Sequence, residues 1–141
     1  MEQRISFVTL AVKDVARARA FYVDGLGWTP NLDVPGEVLM FQVGQHLILS
    51  LWDRKAFEAE VGAPPAEGVP PLTLAHNLAT KALVDQVLET AKQAGAQKVT
   101  AAVERDWGGY SGYFADPDGF RWEIAFNPLP LGQIVLPQSN D

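Results

Sequence analysis

The chain has 141 residues, of which 48% are hydrophobic, and it carries a net charge of −6 and no cysteine. This length suits one domain or two half-sized modules. The negative charge argues against a general nucleic-acid binder, and the missing cysteines exclude disulfides and thiolate metal sites. The N-terminal sequence MEQRISF lacks the apolar core of a signal peptide, and no apolar run is long enough to span a membrane. We therefore expect a cytoplasmic protein with neither nucleic acid nor membrane as a partner.

The first half of the chain predicts a strand, a helix and three more strands. Residues 4–12 alternate as a strand, with Phe7 and Thr9 on one face. Asp14 is a good N-cap for the helix that follows, and two glycines end it near residue 25. The three further strands are expected at residues 28–34, 38–43 and 46–52.

The second half repeats this order after a break. Residues 53–61 predict a short helix, and the sequence GAPPAEGVPP at 62–71 predicts a linker or surface loop because it is rich in proline and glycine. A strand over 72–79 leads to Thr80, which caps a second amphipathic helix. A strand over 98–103 precedes the last hairpin.

The rest of the chain is organised around that hairpin, which has the sequence WGGYSGYFADPDGFRWEIAFN at residues 107–127. Its middle, Asp116-Pro117-Asp118-Gly119, is a strong turn signal. After the turn, apolar residues alternate with a set that includes Glu123. A glutamate in mid-strand is costly against a packed interior, so its face should be a wet surface or a polar cavity.

The element order repeats with a period of about 65 residues, which predicts two βαβββ modules. We place the first at 1–61, the linker at 62–71, the second at 72–128 and a C-terminal tail at 129–141. Each module has one helix to cover one face of its sheet, so the second face of each sheet needs another partner.

Two stretches resemble a known family. They are VTLAVKDVARARAFYVDGLGW and GYFADPDGFRWEIAFNP, and the resemblance covers residues 4–128. The family is the vicinal oxygen chelate superfamily, which includes glyoxalase I, fosfomycin and bleomycin resistance proteins and extradiol dioxygenases. The resemblance implies an α+β fold in which two βαβββ modules form a cupped, mostly antiparallel eight-stranded sheet with the helices outside. It also implies a small-molecule site in the cup and a homodimer.

The resemblance implies a divalent metal in many members, held by two His or Gln residues and a Glu. Glu123 matches the last ligand, but the others fall at Phe7 and near Thr73, which are poor ligands. Strand alternation places His76 on the helix side, and His46 lies either at the rim or in a solvated turn. We therefore expect no cofactor, with a divalent metal as the alternative.

Glu123 and Tyr113 are the candidate catalytic residues. Glu123 could act as a general base or as a hydrogen-bond acceptor, or it could be a structural carboxylate paired with an arginine or a backbone amide. By the resemblance, Tyr113 faces the ligand and could donate a proton; the alternative is a core aromatic with its hydroxyl at the rim.

The candidate substrate-binding residues lie on several strands and one loop. Trp107 and Tyr110 suit a mobile lid over an apolar ligand, or a loop packed by its own rings. Trp52 could give the cup an aromatic wall, or it could lie in the core or an interface. The remaining candidates are Phe7, Thr9, Ile48, Ser50 and Thr73.

These residues favour a glyoxalase- or bleomycin-resistance-like protein that binds a small organic molecule without the usual metal. One alternative is a metal-dependent lyase, isomerase or dioxygenase that uses Glu123 as a ligand. The other is a metal-free enzyme in which Glu123 is the general base.

Overall fold

The structure is a computed structural model that describes residues 1–138. The chain divides into two compact units, Met1–Gly68 and a second that begins at Val69. The boundary falls within residues 62–71, the stretch whose proline and glycine content predicts a linker.

The first unit contains one four-stranded sheet. Its order is β1-β4-β3-β2, with β1 parallel to β4 and the other pairs antiparallel. The elements of this unit are β1 (Phe7–Val12), α1 (Val15–Arg19) with a π-helical continuation (Ala20–Gly25), β2 (Leu32–Val34), β3 (Val38–Gly44), β4 (Leu47–Asp53) and α2 (Arg54–Val61).

The core of the first unit lies between α1 and one face of this sheet. Asp14 begins α1, as predicted, by accepting hydrogen bonds from two backbone amides of the first turn. The ring of Tyr22 lies 5.9 Å from that of Phe41 on β3 and 5.3 Å from that of Trp28. Such tilted aromatic pairs add to the apolar area that the helix buries. Helix α1 does not cover the opposite face of the sheet.

The second unit repeats the topology of the first. Its order is β5-β8-β7-β6, with β5 parallel to β8 and the other pairs antiparallel. The predicted α+β fold with two βαβββ modules is therefore confirmed. The elements are β5 (Thr73–Asn77), α3 (Lys81–Gln93), β6 (Val103–Glu104), β7 (Tyr110–Ala115), β8 (Arg121–Phe126) and α4 (Pro130–Ile134).

Helix α3 covers one face of the second sheet. Thr80 caps it as predicted, with its hydroxyl accepting from the amide of Leu83. Leu88 lies against Gly112 of β7, where a Cβ atom would be 2.6 Å from Leu88 Cδ1 and 2.8 Å from the carbonyl oxygen of Thr100. Glycine at position 112 therefore permits the close approach of helix and sheet.

The strand predicted at 98–103 is much shorter than expected, and this prediction was wrong in its extent. Only Val103–Glu104 forms β6. Lys98 has a φ of 52°, in the left-handed region, which interrupts an extended chain. The preceding residues pair with β7 only at separate points, such as the amide of Thr100 with the carbonyl of Tyr113 at 2.8 Å.

The turn between β7 and β8 is held by Asp116, which is only 1% exposed. Its Oδ1 accepts hydrogen bonds from the amides of Asp118 and Phe120, both at 2.9 Å. Gly119 has a φ of 87°, as a turn of this kind requires. The turn fixes the register in which Tyr113 lies opposite Glu123.

The predicted tail contains α4, whose apolar side chains at Leu131 and Ile134 are exposed. Residues 139–141 of this tail lie outside the described part of the chain. Within residues 1–138, no helix combines the length and the apolar composition needed to cross a membrane.

Candidate functional site

The candidate site is the face of the second sheet that α3 does not cover. Glu123 lies in the middle of β8, in register with Ala75 on β5 and Tyr113 on β7. Residues in register share a face, and Gly112, on the opposite face, contacts α3. We call this surface the Glu123 face. It comprises Thr73, Ala75, Ser111, Tyr113, Arg121 and Glu123.

Tyr113 and Glu123 interact across the strand pair, and both are partly buried. The pKa of Tyr113 is raised, first by burial of the phenol and then by the negative charge of Glu123. The cation of Arg105 acts in the opposite direction. Tyr113 therefore remains a protonated hydrogen-bond donor at neutral pH.

Arg105 joins this pair, although the sequence did not predict it. Its Nε donates to Ser111 Oγ at 2.8 Å, and its Nη2 donates to the carbonyl oxygen of Ser111 at 3.0 Å. The guanidinium carbon lies 5.9 Å from the centre of the Tyr113 ring, within cation–π range. The Glu123 face thus carries a carboxylate, a phenol and a cation side by side.

The loop before β7 packs on itself. The Trp107 ring lies over Gly109, where a Cβ atom would be 1.7 Å from Trp107 Cη2. The amide of Gly108 donates to the carbonyl of Arg105 at 2.9 Å, which closes a tight turn. This geometry favours the loop packed by its own ring over a mobile lid, although the Trp107 side chain is still 43% exposed.

Tyr110 lies away from the Glu123 face, contrary to its predicted place among the substrate-binding residues. It is three residues from Tyr113 on the same strand, so its side chain points to the opposite side. Its hydroxyl donates to Asp85 of α3 at 2.7 Å, and Lys81 Nζ lies 5.7 Å from the ring centre. Tyr110 therefore ties β7 to the helix.

In the first unit, the remaining candidates share the sheet face opposite the core. Phe7 pairs with Ile48, and Thr9 pairs with Ser50, across the parallel strands β1 and β4. Trp52 follows two residues after Ser50 on the same face. Phe7 is 54% exposed, so this face carries an aromatic ring that is open to solvent.

Ser50 is a buried polar residue on this face. Its side chain is 0% exposed, and its Oγ has no hydrogen-bond partner among the described residues. A buried hydroxyl without a partner costs about 1–3 kcal/mol. Ser50 is therefore closed to solvent, and its role in substrate binding stays a prediction.

The histidines lie apart from Glu123. His76 pairs with Ile124 on the α3 side of the second sheet, as the alternation predicted. The residue is exposed, and partial desolvation lowers its pKa. His46 is exposed in the turn before β4. Within residues 1–138, no three His, Cys, Asp or Glu side chains gather where they could hold a metal ion.

Residues 4–124 match the sequence profile of the Glyoxalase/Bleomycin resistance protein/Dioxygenase superfamily. The chain belongs to this superfamily. The resemblance seen in the sequence is therefore confirmed, and no curated protein matches the chain.

Solved structures of other superfamily proteins are similar over most of the chain. A glyoxalase-related enzyme from Fulvimarina pelagi is 34% identical with a TM-score of 0.82, and 90% of each chain is covered. A glyoxalase/bleomycin resistance protein/dioxygenase from Nocardioides is 25% identical with a TM-score of 0.72, covering 89% of this chain and 84% of that one. Lactoylglutathione lyase from Agrobacterium tumefaciens is 25% identical with a TM-score of 0.68, covering 90% and 96%.

The residues present do not fit the divalent metal that the superfamily implies. Catalytic metal sites need about three protein ligands. Around Glu123, the neighbours in register are Ala75 and Tyr113, and an alanine has no donor atom. Phe7, at the position expected of the first ligand, offers no lone pair either. Among residues 1–138, the side chains around Glu123 therefore do not form the donor set of the usual metal.

Proposed function

We propose that this protein binds a small organic molecule on the Glu123 face and does so without a divalent metal. One observation carries the proposal: Arg105, Tyr113 and Glu123 meet on the side of the second sheet that α3 leaves open.

The three groups offer complementary chemistry. Glu123 can accept hydrogen bonds, and Tyr113 can donate one because its raised pKa keeps the hydroxyl protonated. The Arg105 guanidinium is a permanent cation with several donors. Polar groups that converge and can fix the orientation of a ligand are typical of small-molecule sites.

A metal-free proton transfer is the second candidate function. Glu123 is only partly buried and lies beside a protonated phenol, so a carboxylate base and a hydrogen-bond donor are adjacent. That arrangement suits removal of a proton next to a carbonyl group. Turnover that survives a chelator but is lost in Glu123→Gln would distinguish this enzyme from a binding protein.

The test of binding uses ¹H–¹⁵N NMR spectra of the whole protein against a panel of small carbonyl, thiol and aromatic compounds. We expect binders to shift the amide signals of Ser111, Tyr113 and Glu123. Glu123→Gln and Tyr113→Phe should lower the affinity for these compounds. Glu60→Gln, on an exposed turn of α2, should leave the affinity unchanged. Binders that shift only signals elsewhere would contradict the proposal.

Metal analysis tests the second part of the proposal. Purified protein should contain no stoichiometric Fe, Mn, Ni or Zn. A metal present at one equivalent and lost in Glu123→Gln would instead support the metal-dependent lyase, isomerase or dioxygenase.

We also propose that the protein is a homodimer and that it is cytoplasmic. For the homodimer, light scattering should give about twice the chain mass of 15.4 kDa. A monomer at that mass would refute it.

A further inference from the structure

Building on the proposed function, we propose that the ligand is a small organic acid whose carboxylate is bound by Arg105. The inference rests on how the guanidinium is held, on the donors it leaves unused and on the charges around it.

Arg105 is held in place by the protein itself. Both hydrogen bonds of its side chain go to Ser111, one to the hydroxyl and one to the backbone carbonyl, and Ser111 is buried. The Tyr113 ring supports the guanidinium from one side. A long side chain tied at two points and stacked on a ring has one preferred position.

The guanidinium keeps donors that no described residue of the chain uses. It has five N–H groups, and Ser111 occupies two of them. No carboxylate among residues 1–138 lies within ion-pair distance of Arg105. By contrast, Arg19 binds Asp33 at 2.7 Å and Arg54 binds Glu67 at 2.6 Å. Arg105 is thus a positioned cation with no carboxylate partner among residues 1–138.

The shape and charge of the surroundings select a carboxylate. A planar guanidinium matches the two oxygens of a carboxylate in a bidentate pair. Glu123, on the neighbouring strand beyond Tyr113, repels a second negative charge, which disfavours a phosphate dianion. A neutral amide offers one acceptor instead of two. The best fit is therefore a monoanionic organic acid.

The test compares carboxylic acids with their primary amides, which have nearly the same shape and no charge. The probes are benzoate with benzamide and pyruvate with pyruvamide, titrated into the whole protein and followed by NMR at residues 105, 111 and 113. We expect each acid to bind at least tenfold more tightly than its amide. In Arg105→Gln this preference should disappear, and in Arg105→Lys, which keeps the charge but not the fork, it should fall severalfold.

Lys92→Gln, which removes one positive charge from the exposed side of α3, is the matched control and should keep the preference. Thermal melting shows whether each variant is folded. Equal binding of acid and amide, or a preference that survives in folded Arg105→Gln, would overturn the inference while leaving the proposed function intact. If no member of either pair shifts the Glu123 face, both proposals fail for these ligand classes.

Discussion

Replacing Asp116 by alanine should loosen the hairpin that brings Tyr113 opposite Glu123. The carboxylate of Asp116 is buried and accepts from two backbone amides across the turn. Phe120, one of the two donors, is itself buried, so without Asp116 its amide would have no partner and no access to water.

The magnitude follows from these two contacts. A hydrogen bond to a charged group contributes about 1.5–3 kcal/mol. The amide of Asp118 is nearer to solvent and can bind water, so the loss falls mainly on Phe120. We expect Asp116→Ala to lower the free energy of unfolding by about 3 kcal/mol. Asp116→Asn keeps an oxygen acceptor and should lose roughly half as much.

Urea unfolding followed by tryptophan fluorescence measures this difference. With a slope of about 2 kcal/mol per molar urea, the midpoint of Asp116→Ala should fall by about 1.5 M. The reasoning is refuted if Asp116→Ala loses less than about 1 kcal/mol, or if Asp116→Asn is as unstable as the alanine variant.

Three further predictions concern the second unit. Glu123→Gln should lower the pKa of Tyr113, because it removes a negative charge that opposes the phenolate; an unchanged tyrosinate absorbance titration would contradict this. Gly112→Ala should lower the free energy of unfolding by about 1–3 kcal/mol in denaturant, because a Cβ would meet the Thr100 carbonyl. Gly44→Ala, with its nearest contact at 3.4 Å, should change the free energy of unfolding by less than about 1 kcal/mol. Partial desolvation lowers the pKa of His76 from its ordinary value of 6.5, although the residue is open to solvent, so the fold loses a little stability as the pH falls below about 6.5. In melting curves, His76→Leu should reduce this small loss between about pH 7 and pH 5.

The order of the elements could be predicted because it depends on local chemistry. Asp14 and Thr80 cap their helices through contacts two or three residues away, and those contacts are visible in the sequence. The turn at Asp116–Gly119 is equally local. The residues of β6 were overestimated because their irregular pairing with β7 depends on the left-handed backbone at Lys98.

The site was predicted only in part. Glu123 and Tyr113 were each named as candidates, but their pairing across the hairpin was not predicted. Strand alternation puts Tyr110 on the opposite side from Tyr113, so the sequence already held the signal that contradicts its place in a lid. Arg105 was not predicted, because its contact with Ser111 depends on the path of the irregular loop between β6 and β7.

The attachment of Arg105 to Ser111 has a consequence for the energetics of recognition. Immobilising a flexible side chain at an interface costs about 0.5–1.5 kcal/mol when it happens on association. Here that ordering is complete when the chain folds, since both hydrogen bonds are internal. Ser111→Ala would remove the hydrogen bond to the hydroxyl and keep the one to the carbonyl. The arginine would regain rotamer freedom, and calorimetry of ligand binding would show the loss of that freedom as a less favourable entropy.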